Sequence, residues 1–128
     1  MNNKSHYLEN ALIDTYLRNA PVAGSAAVYV GLFTVTPTKA TAGTEVLGGN
    51  YARTVLSVGA PTNGAAANNA PCTFPTASAS WGSIVGVAIF DDPTAGNMLY
   101  FGDLTTAKAI DTGDTASFAI GTLAVNET

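Results

Sequence analysis

Few residues in the chain could act as a nucleophile or a base. It has one histidine, His6, and one cysteine, Cys72. A nucleophilic site needs a serine or cysteine beside a rigidly held base, whereas His6 stands at the start of a predicted helix and no G-x-S-x-G motif occurs. Cys72 sits near Phe74 in a short predicted strand, where a small buried hydrophobe is expected. A lone cysteine forms no internal disulfide and no zinc site by itself. We therefore predict no catalytic residues and no enzyme activity.

Two acidic turns are the other candidates for chemistry. Asp91 and Asp92 are adjacent, and Asp111 is followed three residues later by Asp114. Paired carboxylates could hold Ca²⁺ or serve as acid and base, but neither stretch has the D-x-[DN]-x-[DN]-G ligand spacing. Aspartate side chains commonly accept hydrogen bonds from backbone N–H groups of turns. We predict turn chemistry here, with no metal and no cofactor. A glycosidase would need carboxylates such as Asp91, Asp103 and Asp111 to converge within about 5 to 10 Å.

Gly48-Gly49-Asn50 lacks the lysine and helix that follow a phosphate-binding loop, so it predicts a hairpin turn. Arg53 follows this turn. It could pair with Glu45 across the hairpin or with a neighbouring subunit, and the sequence leaves both open.

The composition of the chain restricts the kinds of partner that it can be expected to bind. The chain has 128 residues, 47% hydrophobic and 11% charged, with a net charge of −4. This length predicts a single domain (residues 1–128) able to bury a core, and the low charge favours docking against other protein. The five basic residues are scattered and no apolar run reaches the length of a membrane span. We predict no binding to nucleic acid, membrane or a small-molecule substrate.

An N-terminal helical arm is predicted within residues 1–20. Leu8, Leu12 and Tyr16 recur at four-residue spacing and form one apolar face. Asp14 and Arg18 form a favourable i,i+4 pair, and Pro21 ends the helix. The apolar face could pack on its own domain or on another subunit.

The rest of the chain, residues 26–125, reads as a β-sandwich body. Short apolar runs are separated by turn residues, and no alternation of strand and helix is present. These runs are AAVYVGLFTV (26–35), YARTVLSV (51–58), CTF (72–74), SIVGVAIFD (83–91), NMLYFGDL (97–104) and TASFAIGTLAV (115–125), with residues 59–71 as an exposed loop. The predicted fold is all-β: an antiparallel β-sandwich or jelly-roll-like barrel of about seven or eight strands with a short N-terminal α-helix.

Several motifs extend along nearly the whole chain. They are YLENALIDTYLR (7–18), GTEVLGGNYAR (43–53), FPTASASWG (74–82), GNMLYFG (96–102) and GDTASF (113–118). Together they resemble a family of small bacteriophage virion structural proteins, described as head decoration (cement) proteins or as tail-fibre-like proteins. The resemblance brings no catalytic residues.

The resemblance implies adhesion as the function. The expected role is a capsid decoration protein, made in the host bacterial cytoplasm and bound to the capsid surface of the virion. It would form a homo-oligomer, expected to be a trimer, and stabilise contacts between capsomers of the phage major capsid protein. The alternative is a tail-fibre or receptor-binding virion protein, which could bind glycans through exposed aromatic residues such as Tyr29, Tyr51 or Tyr100.

Five residues are predicted to lie at interfaces between subunits: Leu8, Leu12, Tyr16, Tyr51 and Arg53. Either the helix (5–19) or the loops 36–45 and 59–71 are expected to contact the capsid. Phe33, Tyr51 and Trp81 are expected in the core or at a seam between subunits, with Trp81 in the core.

Overall fold

The computed structural model describes Met1 and residues 3–127. This part of the chain contains one helix and ten strands. In chain order they are β1 (Asn3–Lys4), α1 (His6–Leu17), β2 (Val28–Val35), β3 (Thr44–Glu45), β4 (Thr54–Leu56), β5 (Ala65–Ala67), β6 (Cys72–Thr73), β7 (Gly82–Phe90), β8 (Met98–Ile110), β9 (Ser117–Phe118) and β10 (Ala124–Asn126).

A six-stranded antiparallel sheet forms the centre of the fold. Its order is β1-β8-β7-β2-β3, and β4 pairs with β2 on the same edge as β3. The predicted hairpin of β7 and β8 is confirmed, with Ile89 opposite Tyr100 and Gly82 opposite Ile110. Near its middle, Val85 stands opposite four residues of β8, 104–107, which form a wide bulge.

Both faces of this sheet are covered. On the inner face lie Val30 and Ile89, which belong to the main core. On the outer face Phe33 stacks on Phe90 with ring centroids 6.1 Å apart, and Phe101 joins this second cluster. Burial on both faces explains why β2 and β7 read as nearly continuous apolar runs rather than alternating ones.

Two small sheets, β5 with β10 and β6 with β9, close the inner face. The first corrects the prediction that residues 59–71 are only an exposed loop. Asn68 in this segment is 2% exposed. Its amide group donates to the carbonyls of Ala70 and Ala119, and its side-chain oxygen accepts from the Leu123 N–H. A run of alanines forms a strand here because one buried asparagine joins it to the C-terminal segment.

Two further predictions need correction. The run 115–125 is not one strand, because the chain turns at Gly121, where φ is +82°, and Ile120 is left exposed. The turn at 48–50 is not a hairpin, because β3 and β4 each pair with β2 rather than with each other. Since β2 has eight residues, it can pair with both short strands end to end along the side that faces away from β7.

The predicted all-β fold with a short N-terminal helix is confirmed: the sheets are antiparallel and sandwich-like. They stay open, so the barrel alternative is not formed, and ten strands replace the seven or eight expected in the described residues. Of the helices described, none has the length and apolar character to cross a bilayer.

Candidate assembly surface

Helix α1 carries three of the predicted interface residues. The Ser5 hydroxyl caps its start by accepting a hydrogen bond from the Leu8 N–H at 3.2 Å, and the helix contacts β8 and β1. Leu8 and Leu12 are half-buried, whereas Tyr16 is 78% exposed. The helix therefore presents part of its predicted apolar face to its own chain and part to solvent.

A second row of apolar side chains faces away from the body. Ile13 is 49% exposed and Leu17 is 79% exposed. With Tyr16 they lie at i, i+3 and i+4, so they share one side of the helix. We call Ile13, Tyr16 and Leu17 the helix patch. Contiguous exposed apolar groups of this kind mark interaction surfaces in soluble proteins.

Arg53 is used inside the chain. Its Nε and Nη2 atoms donate to the two carboxylate oxygens of Glu45 at 2.9 and 2.8 Å. Its Nη1 donates to the carbonyls of Asp92 and Ala95 at 2.9 and 2.8 Å, and its carbon Cζ lies 3.5 Å from the centre of the Phe90 ring. Of the two alternatives for Arg53, the structure places it against Glu45. Burial opposes its charge, but the Glu45 carboxylate outweighs this and raises the Arg53 pKa.

Tyr51 belongs to the same group. Its hydroxyl donates to Glu45 Oε2 at 2.6 Å and accepts from the Leu32 N–H at 3.0 Å. Its ring meets the edge of Trp81 at 5.4 Å between centroids. Burial, together with the hydrogen bond to Glu45, raises the pKa of the Tyr51 hydroxyl. Tyr51, Glu45 and Arg53 fill the gap between β3 and β4 at the edge of β2. The predicted interface role of Tyr51 and Arg53 stays a prediction.

The turn at 48–50 is held by Trp81, which lies in the core as predicted. The indole N–H donates to the Gly49 carbonyl at 2.8 Å. Gly49 has φ of +60°, and a Cβ on it would lie 2.9 Å from the indole nitrogen. Gly49 is required because of both its backbone conformation and this close approach.

The acidic residues make turn contacts. Asp91 accepts from the N–H and the side-chain amide of Asn97, and Asp92 accepts from the N–H groups of Thr94 and Ala95. Those backbone donors hold the pKa of Asp92 below its usual value. Asp111 lies at the opposite end of the β7–β8 hairpin. The prediction that the chain is not an enzyme stays a prediction.

His6 and Cys72, the other two candidate reactive residues, also make contacts within the chain. His6 lies 2.9 Å from Glu9 on the exposed side of the helix. Cys72 is buried, which raises the pKa of its thiol, and its Sγ lies 3.7 Å from the Val55 carbonyl oxygen. The prediction of Cys72 as a small buried hydrophobe is confirmed.

One exposed residue was missed at the sequence level. Leu47 is 97% exposed at the turn beside Trp81. The following Gly48-Gly49 predicts a turn, but an apolar residue just before a turn is ordinarily interpreted as the end of a strand. Only the tertiary structure shows that the Leu47 side chain is exposed to solvent.

An apolar pocket of 310 Å³ lies between the main sheet and the small sheet of β5 and β10. Its walls are mostly aliphatic and aromatic, formed by Val28, Leu56, Val58, Pro61, Ala65, Ala66, Ile89, Leu99, Tyr100 and Val125. We call it the β5–β10 pocket. A larger groove of 590 Å³ with mixed lining lies under the bulge of β8, at the other end of the sandwich.

Taken together, these contacts describe an open all-β module in which Arg53, Asn68 and the acidic turns brace the chain from within. A family model described as podophage GP4 fiber I protein gp80 matches residues 3–126. The chain belongs to this family, which makes it a fibre-like structural protein of a bacteriophage virion. The comparison with curated proteins finds no match.

Proposed function

We propose that this protein is a subunit of a virion fibre, held to its neighbours by uncharged surface. The fibre description of its family is the observation that carries the proposal. Its composition agrees, since only 11% of the residues are charged. A neutral polar surface loses little hydration when it docks on another protein.

The helix patch is the surface proposed to contact another virion protein. Tyr16 and Leu17 expose more than three quarters of their side chains, and tyrosine is enriched at protein interfaces. Burying two such side chains would contribute roughly 3 to 6 kcal/mol before the cost of association. Self-association into a trimer, with the helix against a partner, belongs to the same proposal.

Capsid decoration, the role expected from the sequence, is the second candidate. The described residues form a sandwich of short strands rather than a long fibrous repeat. A compact domain of this kind is suited to binding the surface of a capsid. In that case the helix patch would meet the major capsid protein.

Immunogold electron microscopy of intact virions separates the two. An antibody against this chain should label fibres at the tail if the first proposal holds. Label spread over the faces of the head would overturn it and support capsid decoration. Absence of label from purified particles would contradict both.

A paired variant links the helix patch to assembly. Tyr16→Asn with Leu17→Asn should lower incorporation into particles at least tenfold. Val35→Asn, which changes another exposed apolar residue outside the helix, should leave incorporation unchanged. Equal incorporation of both variants would contradict the role of the patch.

A further inference from the structure

Leu47 projects from the fold as an isolated apolar side chain. It is 97% exposed, although the residue before it, Val46, belongs to the core. The turn that follows is anchored, since the Gly49 carbonyl accepts hydrogen bonds from the Trp81 indole and the Ser78 N–H. An apolar group held outward on an anchored turn loses little conformational freedom when it is bound.

The β5–β10 pocket offers the complementary shape. Its volume of 310 Å³ is larger than a leucine side chain, and its walls are mostly apolar, with Glu127 as the one charged residue among them. Its mouth includes Val58, which is 42% exposed. The small side chains of Ala65 and Ala66 leave the space that larger residues would occupy.

The two features lie at opposite ends of the sandwich. Leu47 leads into the turn whose Gly49 carbonyl is bound by Trp81, the residue before β7. The pocket instead includes Ile89, near the end of β7. The eight steps from Gly82 to Phe90 span about 26 Å of extended chain. A chain cannot place its own Leu47 in its own pocket across that distance, but a second copy stacked end to end can.

We propose that Leu47 of one copy inserts into the β5–β10 pocket of the next, so that copies join head to tail. A contact between two different patches is heterologous, and unless its rotation closes a ring it generates a linear filament. The occupant of the pocket is thus a second copy of this chain. The contact deepens the fibre role proposed above and rests on it.

Two variants isolate the two halves of the contact. Leu47→Asn removes the projecting side chain, and Val58→Arg places a charged side chain at the mouth of the pocket. Both positions are exposed, so the fold should persist, as circular dichroism would check. Each variant alone should weaken association roughly 10- to 100-fold, the effect of one buried leucine. Ile120→Asn, at an exposed turn residue that does not line the pocket, should behave like the wild type.

Mixing the variants gives the sharpest test. Leu47→Asn keeps an intact pocket and Val58→Arg keeps an intact Leu47. Because the helix patch is itself proposed to hold copies together, every protein in this test also carries Tyr16→Asn and Leu17→Asn. In that background an equimolar mixture should form one-to-one dimers that cannot grow further, measured by analytical ultracentrifugation, while the otherwise wild-type protein forms longer chains as its concentration rises. A wild type that stays monomeric, a Leu47→Asn protein that associates like the wild type, or a mixture without dimers would overturn the proposal. If gold still labels fibres in that case, the fibre role stands and only this contact is wrong.

Discussion

The guanidinium of Arg53 lies over the Phe90 ring, with its central carbon 3.5 Å from the ring centre. At the same time its nitrogens reach Glu45 and the turn between β7 and β8. Four hydrogen bonds and one cation–π contact thus converge on a side chain that is 9% exposed. The planar fork of arginine is the only side chain that fits all of them.

Arg53→Lys should therefore destabilise the protein although it preserves the charge. A lysine can pair with Glu45 but leaves the carbonyls of Asp92 or Ala95 without a donor. We expect a loss of about 1–3 kcal/mol in the free energy of unfolding, measured by urea denaturation. Arg18→Lys is the matched control, since Arg18 pairs with Asp14 on the helix surface, and should cost about 0.5 kcal/mol or less. Equal losses in the two variants would show that the fork geometry of Arg53 is unimportant.

The Tyr51 hydroxyl should limit stability at alkaline pH. Because its pKa is raised in the folded state, the unfolded chain releases this proton first, near the usual tyrosine value of about 10. The contribution of Tyr51 is thus complete below pH ~10 and falls as the pH rises through the folded pKa. In Tyr51→Phe the free energy of unfolding should fall less steeply above pH ~10. At neutral pH it should be about 1–2 kcal/mol lower than in the wild type, because the hydroxyl's hydrogen bonds are missing.

Thermal unfolding of both proteins as a function of pH measures the effect. Burial and Glu127 raise the pKa of Tyr100 to about 12, so the difference between wild type and Tyr51→Phe is the informative quantity. Parallel curves above pH ~10 would contradict the assignment.

Gly49→Ala should be far more damaging than Gly48→Ala. Both glycines have positive φ, but a Cβ on Gly49 would lie 2.9 Å from the Trp81 indole nitrogen, whereas one on Gly48 meets nothing within 4 Å. Backbone strain alone should cost Gly48→Ala about 1 kcal/mol, and the clash should bring Gly49→Ala to about 3 kcal/mol or more. Trp81 fluorescence during denaturation reports both values. A Gly48 variant as unstable as the Gly49 variant would rule out the clash as the cause.

Asn68→Ala should loosen the C-terminal part of the sandwich. It removes three side-chain hydrogen bonds and leaves the Leu123 N–H without its acceptor. We expect a loss of about 2–4 kcal/mol. Asn69→Ala, at an exposed neighbour, is the control and should change stability by about 0.5 kcal/mol or less.

Hydrogen exchange locates the Asn68 effect. In Asn68→Ala the amides of β5 and β10 should exchange faster, while those of β2 and β7 keep their protection. Uniform loss of protection through the whole chain would mean that Asn68 supports global rather than local stability.

Much of the secondary structure could be predicted because patterns of neighbouring residues determine it. The helix ending before Pro21 and the apolar runs of β2, β7 and β8 depend on residues close together in sequence. The turn contacts of Asp91, Asp92 and Asp114 were likewise predictable, since each side chain accepts a hydrogen bond from a backbone N–H only a few residues away.

What only the tertiary structure decided involves partners distant in sequence. Asn68 accepts a hydrogen bond from Leu123, which lies 55 positions further along the chain. The alanine run at 65–67 forms a strand because of such distant contacts, and its own residues do not predict one. The burial of Arg53 and the exposure of Leu47 depend on how the chain packs around the turn at 48–50. Such contacts between distant segments leave no periodic trace in the sequence, because periodicity reports which face of one element is buried and not which element covers it.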